Sequence, residues 1–147
     1  MTQIQPSSAE ASRRMAKVRQ KGTGAEMALR RELYRCGLRY RVDYVVLKKP
    51  RRIADVAFPG LKIAIFVDGC FWHGCPEHAS WPKQNAEFWR QKIEANRQRD
   101  RDTNERLSRV GWTVLRFWQH DSPSEAGESV KRVVTKARWA LSTSKNP

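Results

Sequence analysis

Residues 54–78 read ADVAFPGLKIAIFVDGCFWHGCPEH. Two apolar runs, 54–58 and 62–68, flank Pro59-Gly60, a pattern that predicts a β-hairpin closed by a tight turn. The outgoing strand delivers the chain into a segment where Asp68, Cys70, His73, Cys75 and His78 fall within eleven positions, with Phe71 and Trp72 between them. That segment has no core periodicity, and packing alone does not call for so many ligating and titratable side chains. It holds two of the three histidines and two of the three cysteines in the chain. The incoming strand carries one residue out of place, Asp55 between Ala54 and Val56. A buried carboxylate needs a cation or hydrogen-bond donors, so Asp55 has either a structural partner or a metal.

Working outward toward the N-terminus, YRVDYVVL from Tyr40 predicts another strand. Before it, Thr23-Gly-Ala-Glu26 fits a capping box opening a helix that ends near Gly37, which gives Glu26 a structural explanation. Leu29, Leu33 and Cys36 fall on its core-facing side, Cys36 as a buried thiol, leaving Arg30, Arg31 and Arg35 toward solvent or phosphate. Residues 1–22 form a polar, basic arm, either a frayed terminus or a segment that orders along phosphates.

On the other side, a long helix is predicted from Asn85 to Val110, stopped by Gly111. Trp89, Ile93, Asn96, Asp100, Thr103 and Leu107 follow helical steps along one inward face, apolar at its ends and polar in its middle. Periodicity thus places Trp89 in the core. An inward Asp100 must orient a histidine, an arginine or a metal. Arg90, Lys92, Arg97, Arg99, Arg101, Arg106 and Arg109 make the outer face cationic. TVLRFW, Thr113 to Trp118, reads as a fourth strand ending at Gln119-His120, and a last helix runs from about Ser124 to Leu141 with Val130, Val133, Val134, Ala137 and Leu141 inward. The expected architecture is one domain, 23–142, with a polar tail at 143–147: a mixed α/β sheet flanked by helices in the order α-β-β-β-α-β-α.

The 147 residues carry a net charge of +14 and a pI near 10.4, which favours a polyanionic partner, nucleic acid first. No apolar run is long enough to span a bilayer, and the start lacks a signal-peptide core, so the expectation is a cytoplasmic protein with no membrane partner. An odd number of cysteines suits a metal in a reducing compartment better than a disulfide framework. Cys70, Cys75, His78 and His120 make a tetrahedral, structural Zn²⁺ set, the alternative being buried thiols and satisfied histidines. His73, left over, is a natural general base with Asp100 as its orienting partner, and Asp55 then holds Mg²⁺ at a phosphodiester-hydrolysis site. Phe71 and Trp72 are either core or wedges between bases.

ADVAF, IFVDGCFWHGCPEH, the FW…KI…N…RD run from Phe88 to Asp100, and GWTVLRFWQH together resemble the very-short-patch repair (Vsr) endonucleases, from about Ser12 to His120. The resemblance implies a restriction-endonuclease-like fold of the PD-(D/E)xK type and nicking 5′ to the thymine of a T:G mismatch in double-stranded DNA. It implies Asp55 as the Mg²⁺ ligand with the Val67 carbonyl as a second contact, His73 as base and Asp100 as its partner. It also implies Glu26 near the active site, and Phe71, Trp72 and Trp89 as aromatics that wedge into DNA. Other mismatch-repair proteins follow as partners, and a monomer associated with the nucleoid as the working form. Two positions depart from the best-known members. Asp68 replaces a histidine, so that either Asp68 adds a metal ligand or the local proton chemistry differs. The zinc loop is spaced differently, and His120 stands where they have cysteine. A restriction-type or defence nuclease without mismatch preference, and a non-catalytic zinc-stabilised DNA-binding module, are the rival readings.

Overall fold

The computed structural model describes residues 24–69 and 85–144, with the backbone alone at Ser144. Expectations about the 1–22 arm, Thr23, Cys70, Phe71, Trp72, His73, Cys75, His78 and the last three residues lie outside that range. The described elements are α1 (Gly24–Arg35), β1 (Arg41–Lys48), β2 (Arg51–Phe58), a 3-10 turn (Pro59–Leu61), β3 (Ile63–Asp68), α2 (Ala86–Arg109), β4 (Thr113–Trp118) and α3 (Pro123–Ser144). No helix among the described residues is long and apolar enough to cross a membrane.

The strands form one mixed sheet in the order β1-β2-β3-β4, antiparallel except for the parallel β3–β4 pair. Pro59-Gly60 does make the turn between β2 and β3, completed by Lys62 in the left-handed region at φ 53°. β2 starts at Arg51 rather than Ala54, because Arg51, Arg52 and Ile53 pair with Lys48, Leu47 and Val45 across the β1–β2 hairpin. Alternation along β3 divides the core. Ile63 and Ile65 join Val56, Phe58, Leu29, Leu33, Val130 and Val134 under α1 and α3, whereas Ala64 and Phe66 join Ala54, Ala57 and Leu107 under α2. With helices on both faces, the central strand β3 is apolar along most of its length, as such strands must be.

Both glycine stops act by the same device. Gly37 and Gly111 take φ of +83° and +89°, and in each case the next residue's N–H reaches five residues back, Leu38 to Leu33 at 3.0 Å and Trp112 to Leu107 at 2.9 Å. The counted stripe of α2 faces inward: Trp89, Ile93, Thr103 and Leu107 are buried, and Asn96 and Asp100 half-buried. Thr103 is satisfied by donating to the Arg99 carbonyl and accepting from Arg52 Nε, each at 2.8 Å. The seven cationic residues of its outer face are exposed.

Three expectations are corrected. Leu141 is 45% exposed rather than inward, because α3 spans 22 residues, roughly 33 Å, and outruns six-residue strands of about 20 Å. Cys36 is half-buried at the core's rim. Arg30 turns inward, its side chain 15% exposed, since Glu26 lies one turn earlier on the same face and draws it to 3.6 Å.

Candidate active site

Where β2 and β3 part, an acidic cluster forms. The β2–β3 ladder runs from Val56 to Phe58, opposite Ile65 to Ile63, and beyond it the Asp55 carboxylate takes over the role of a ladder acceptor: Val67 N–H donates to Oδ2 at 2.7 Å. Glu26, which α1 brings down on its first turn, is buried, 3% exposed. Asp43 completes the group from β1. It sits between the Val42↔Val56 and Tyr44↔Ala54 pairs, which share one register, with a φ of +47°, a conformation that aspartate tolerates better than most residues. Oxygens of Glu26, Asp43 and Asp55 all lie within 4.8 Å of one another. Arg30 Nη2, 3.6 Å from Glu26 and 4.0 Å from Asp43, offsets part of this charge.

The Asp55 carboxyl is pushed up to about 8. Burial is the largest cause, followed by its hydrogen bond with Glu26; the Val67 N–H opposes them, and the charges of Glu26 and Asp68 add to the rise. A hard divalent cation, which takes carboxylate and carbonyl oxygens, is the group that relieves such crowding, and the donor set here is all oxygen. The residues present therefore fit a divalent metal.

A second network lies beside it. Asp68, at the end of β3, is 7% exposed, and Arg116 Nη1 donates to both its oxygens, at 3.0 and 3.2 Å. The same nitrogen is 3.6 Å from Asp100 Oδ1, Nη2 donates to the Asp100 carbonyl at 3.5 Å, and Nε donates to Asn104 Oδ1 at 2.7 Å. The guanidinium lies over the Phe66 ring, 4.3 Å from its centroid. Gln119 N–H continues the parallel pairing by donating to the Asp68 carbonyl at 3.0 Å, so His120 follows directly on the β3–β4 end. Its ring stacks on Trp118 at 6.4 Å and its Nε2 is 3.7 Å from Asp121.

Residues 6–79 match the family described as DNA mismatch endonuclease Vsr. The chain belongs to the Vsr family. Among its relatives are the Type II nicking enzyme V.NaeI of Lentzea aerocolonigenes, 41% identical over 85% of this chain and 76% of that one, and the Type II nicking enzyme V.HpaIIP of Haemophilus parainfluenzae, 41% identical over 72% and 74%. The DNA mismatch endonuclease Vsr of Escherichia coli (strain K12) is 35% identical over 74% of this chain and 68% of its own length. This Vsr-family chain is a DNA endonuclease, a phosphodiester hydrolase.

Within this Vsr-family fold, Glu26, Asp55 and Val67 come together where the inner strands β2 and β3 part, while Asp68 and Asp100 are joined through Arg116. Val67 meets Asp55 through its N–H. Trp89 is buried at the start of α2, its ring edge-on to Phe88 at 5.1 Å, as periodicity predicts. Cys70, Phe71, Trp72, His73, Cys75 and His78 lie outside the described residues, so His120 is the one expected zinc ligand with a described position. Sequence reasoning missed Arg116 and Asp43. The signal that exposed Asp55, a charged residue inside an apolar strand, is present for both, in TVLRFW and in YRVDYVVL.

Proposed function

We propose that the chain is a Mg²⁺-dependent, strand-specific endonuclease that nicks double-stranded DNA 5′ to the thymine of a T:G mismatch and so starts short-patch repair. The observation that carries this reading is the Glu26–Asp43–Asp55 carboxylate cluster where β2 and β3 part in a Vsr-family sheet. The four-stranded mixed sheet between helices is compatible with a restriction-endonuclease-like fold of the PD-(D/E)xK type.

In this reading Asp55, the Val67 carbonyl and the acids beside them hold the ion, which when bound supplies positive charge to the scissile phosphate. His73 removes the proton from the attacking water, and Asp100 fixes the imidazole's orientation and tautomer. Phe71 and Trp72 enter the duplex beside the mismatch, unstacking it. The exposed cations of α2 contact phosphates. Cys70, Cys75, His78 and His120 bind Zn²⁺ and tie the 70–84 segment to the end of β4. The protein works on the nucleoid as a monomer, alongside other mismatch-repair proteins.

A second reading has a specific observation in its favour: several relatives more similar than the E. coli protein are named Type II nicking enzymes. In that reading the chain nicks in a restriction-linked setting without mismatch preference. One experiment decides between them. Purified protein with Mg²⁺ is incubated with a T:G duplex and its T:A homoduplex, alongside Asp55→Ala and His73→Ala. The mismatch reading expects nicks only in the T:G duplex and only from wild type. Equal nicking of both duplexes supports the second reading, and binding without nicking leaves a DNA-binding module.

A further inference from the structure

We propose that Arg116 is a positioning residue that fixes Asp100 for its role beside the base, with Asp68 as its counter-charge rather than a metal ligand. The inference rests on the proposed pairing of Asp100 with His73. In the parallel β3–β4 pair Phe66 stands opposite Arg116 and Asp68 opposite Trp118, so Phe66, Arg116 and Asp68 share the sheet face covered by α2. The long side chain of Arg116 lies along the Phe66 ring and reaches one step toward the strand end, to Asp68, and sideways to α2, where Asp100 and Asn104 are one helical turn apart.

Each arm of the guanidinium is used. Nε is held by Asn104, Nη1 sits between Asp68 and Asp100, and Nη2 meets the Asp100 backbone. A planar fork with fixed angles can serve these groups at once; an ammonium, a single charge without a plane, cannot. The side chains of Arg116, Asp68 and Asp100 are 19%, 10% and 20% exposed, so the contacts are held away from bulk water. Both oxygens of Asp68 are engaged by this cation, which accounts for an acid at that position without a metal. Asp100 is thereby tied to the end of β3 rather than left to the rotamer freedom of a helix surface.

The test uses the full chain with Asp68→Asn, Arg116→Met and the double variant, read by single-turnover nicking of a T:G duplex, DNA affinity without Mg²⁺, Mg²⁺ dependence and urea unfolding. Arg116→Met slows nicking by ~10- to 100-fold with affinity within about threefold. Asp68→Asn slows it by less than about tenfold and leaves the half-saturating Mg²⁺ concentration within about threefold. The double variant, which no longer buries an uncompensated carboxylate at position 68, regains much of the stability lost in Arg116→Met but stays as slow. Three results overturn the proposal: an Arg116→Met enzyme of normal rate, a double variant whose rate recovers together with its stability, or a tenfold higher Mg²⁺ requirement in Asp68→Asn. If wild type nicks no duplex, the functional reading fails on its own; coupling between the two substitutions in urea still tests the clamp, and additivity would remove it.

Discussion

Asp55→Asn should make the metal-free protein more stable while removing its activity. Burial and the Glu26 hydrogen bond raise the Asp55 carboxyl from 3.8 to about 8, so the folded state holds a proton that the unfolded chain releases near pH 4. The sign follows from linkage. A folded-state pKa above the unfolded value gives stability that is complete below about pH 4 and is lost as pH rises through about 8. That rise in pKa corresponds to at most ~6 kcal/mol, and water reaching the half-buried carboxylate where β2 and β3 part reduces it. Asparagine keeps the acceptor for Val67 N–H and donates to Glu26, reproducing the protonated acid at every pH. The expected gain is about 2 kcal/mol at pH 8, a rise in Tm of roughly 4–8 °C, shrinking to nearly nothing at pH 4. Thermal unfolding followed by circular dichroism in EDTA, at pH 4, 6 and 8, measures it. Adding Mg²⁺ at pH 8 should then raise the Tm of wild type and not of the variant. A variant less stable than wild type at pH 8, or a difference that does not change with pH, would mean that Asp55 is not held protonated in the metal-free fold.

Other outcomes can be checked independently. Purified protein should contain about one zinc per chain, lost in Cys70→Ser; zinc-free wild type, or zinc retained by the variant, removes the clasp. Leu33→Ala, at a fully buried position on the inward face of α1, should destabilise by ~3 kcal/mol in urea unfolding, against less than 1 kcal/mol if α1 were loosely docked. Gly111→Ala forces a Cβ into φ +89° and should cost about 1 kcal/mol, whereas Gly24→Ala, within α1 and with open space around it, should cost nothing. DNA affinity should fall by ~10³-fold between about 50 and 200 mM salt if the cationic face of α2 and its neighbours neutralise several phosphates, and a flat response would remove that face from the interface.

Local chemistry in the sequence determined a good deal. The apolar runs around Pro59-Gly60, the helical steps from Trp89 to Leu107 and the stops at Gly37 and Gly111 each depend on a few neighbouring residues, so element positions and the inward stripe of α2 were readable from them. Asp55 stood out because an acid in an apolar strand is costly wherever that strand goes. What the sequence could not provide was pairing between distant residues. Glu26 reads locally as a helix cap and becomes a buried acid only because α1 packs its first turn against β2; Asp68 reads as a spare ligand until Arg116 is brought beside it by the β3–β4 register. Arg30 reads as surface charge until two carboxylates draw it inward. The charge state of a group depends on everything within a few ångströms, whatever the separation along the chain. The residue types for the site were therefore set by the sequence, while tertiary contact alone decided which carboxylates face one another and which are already held by a cation.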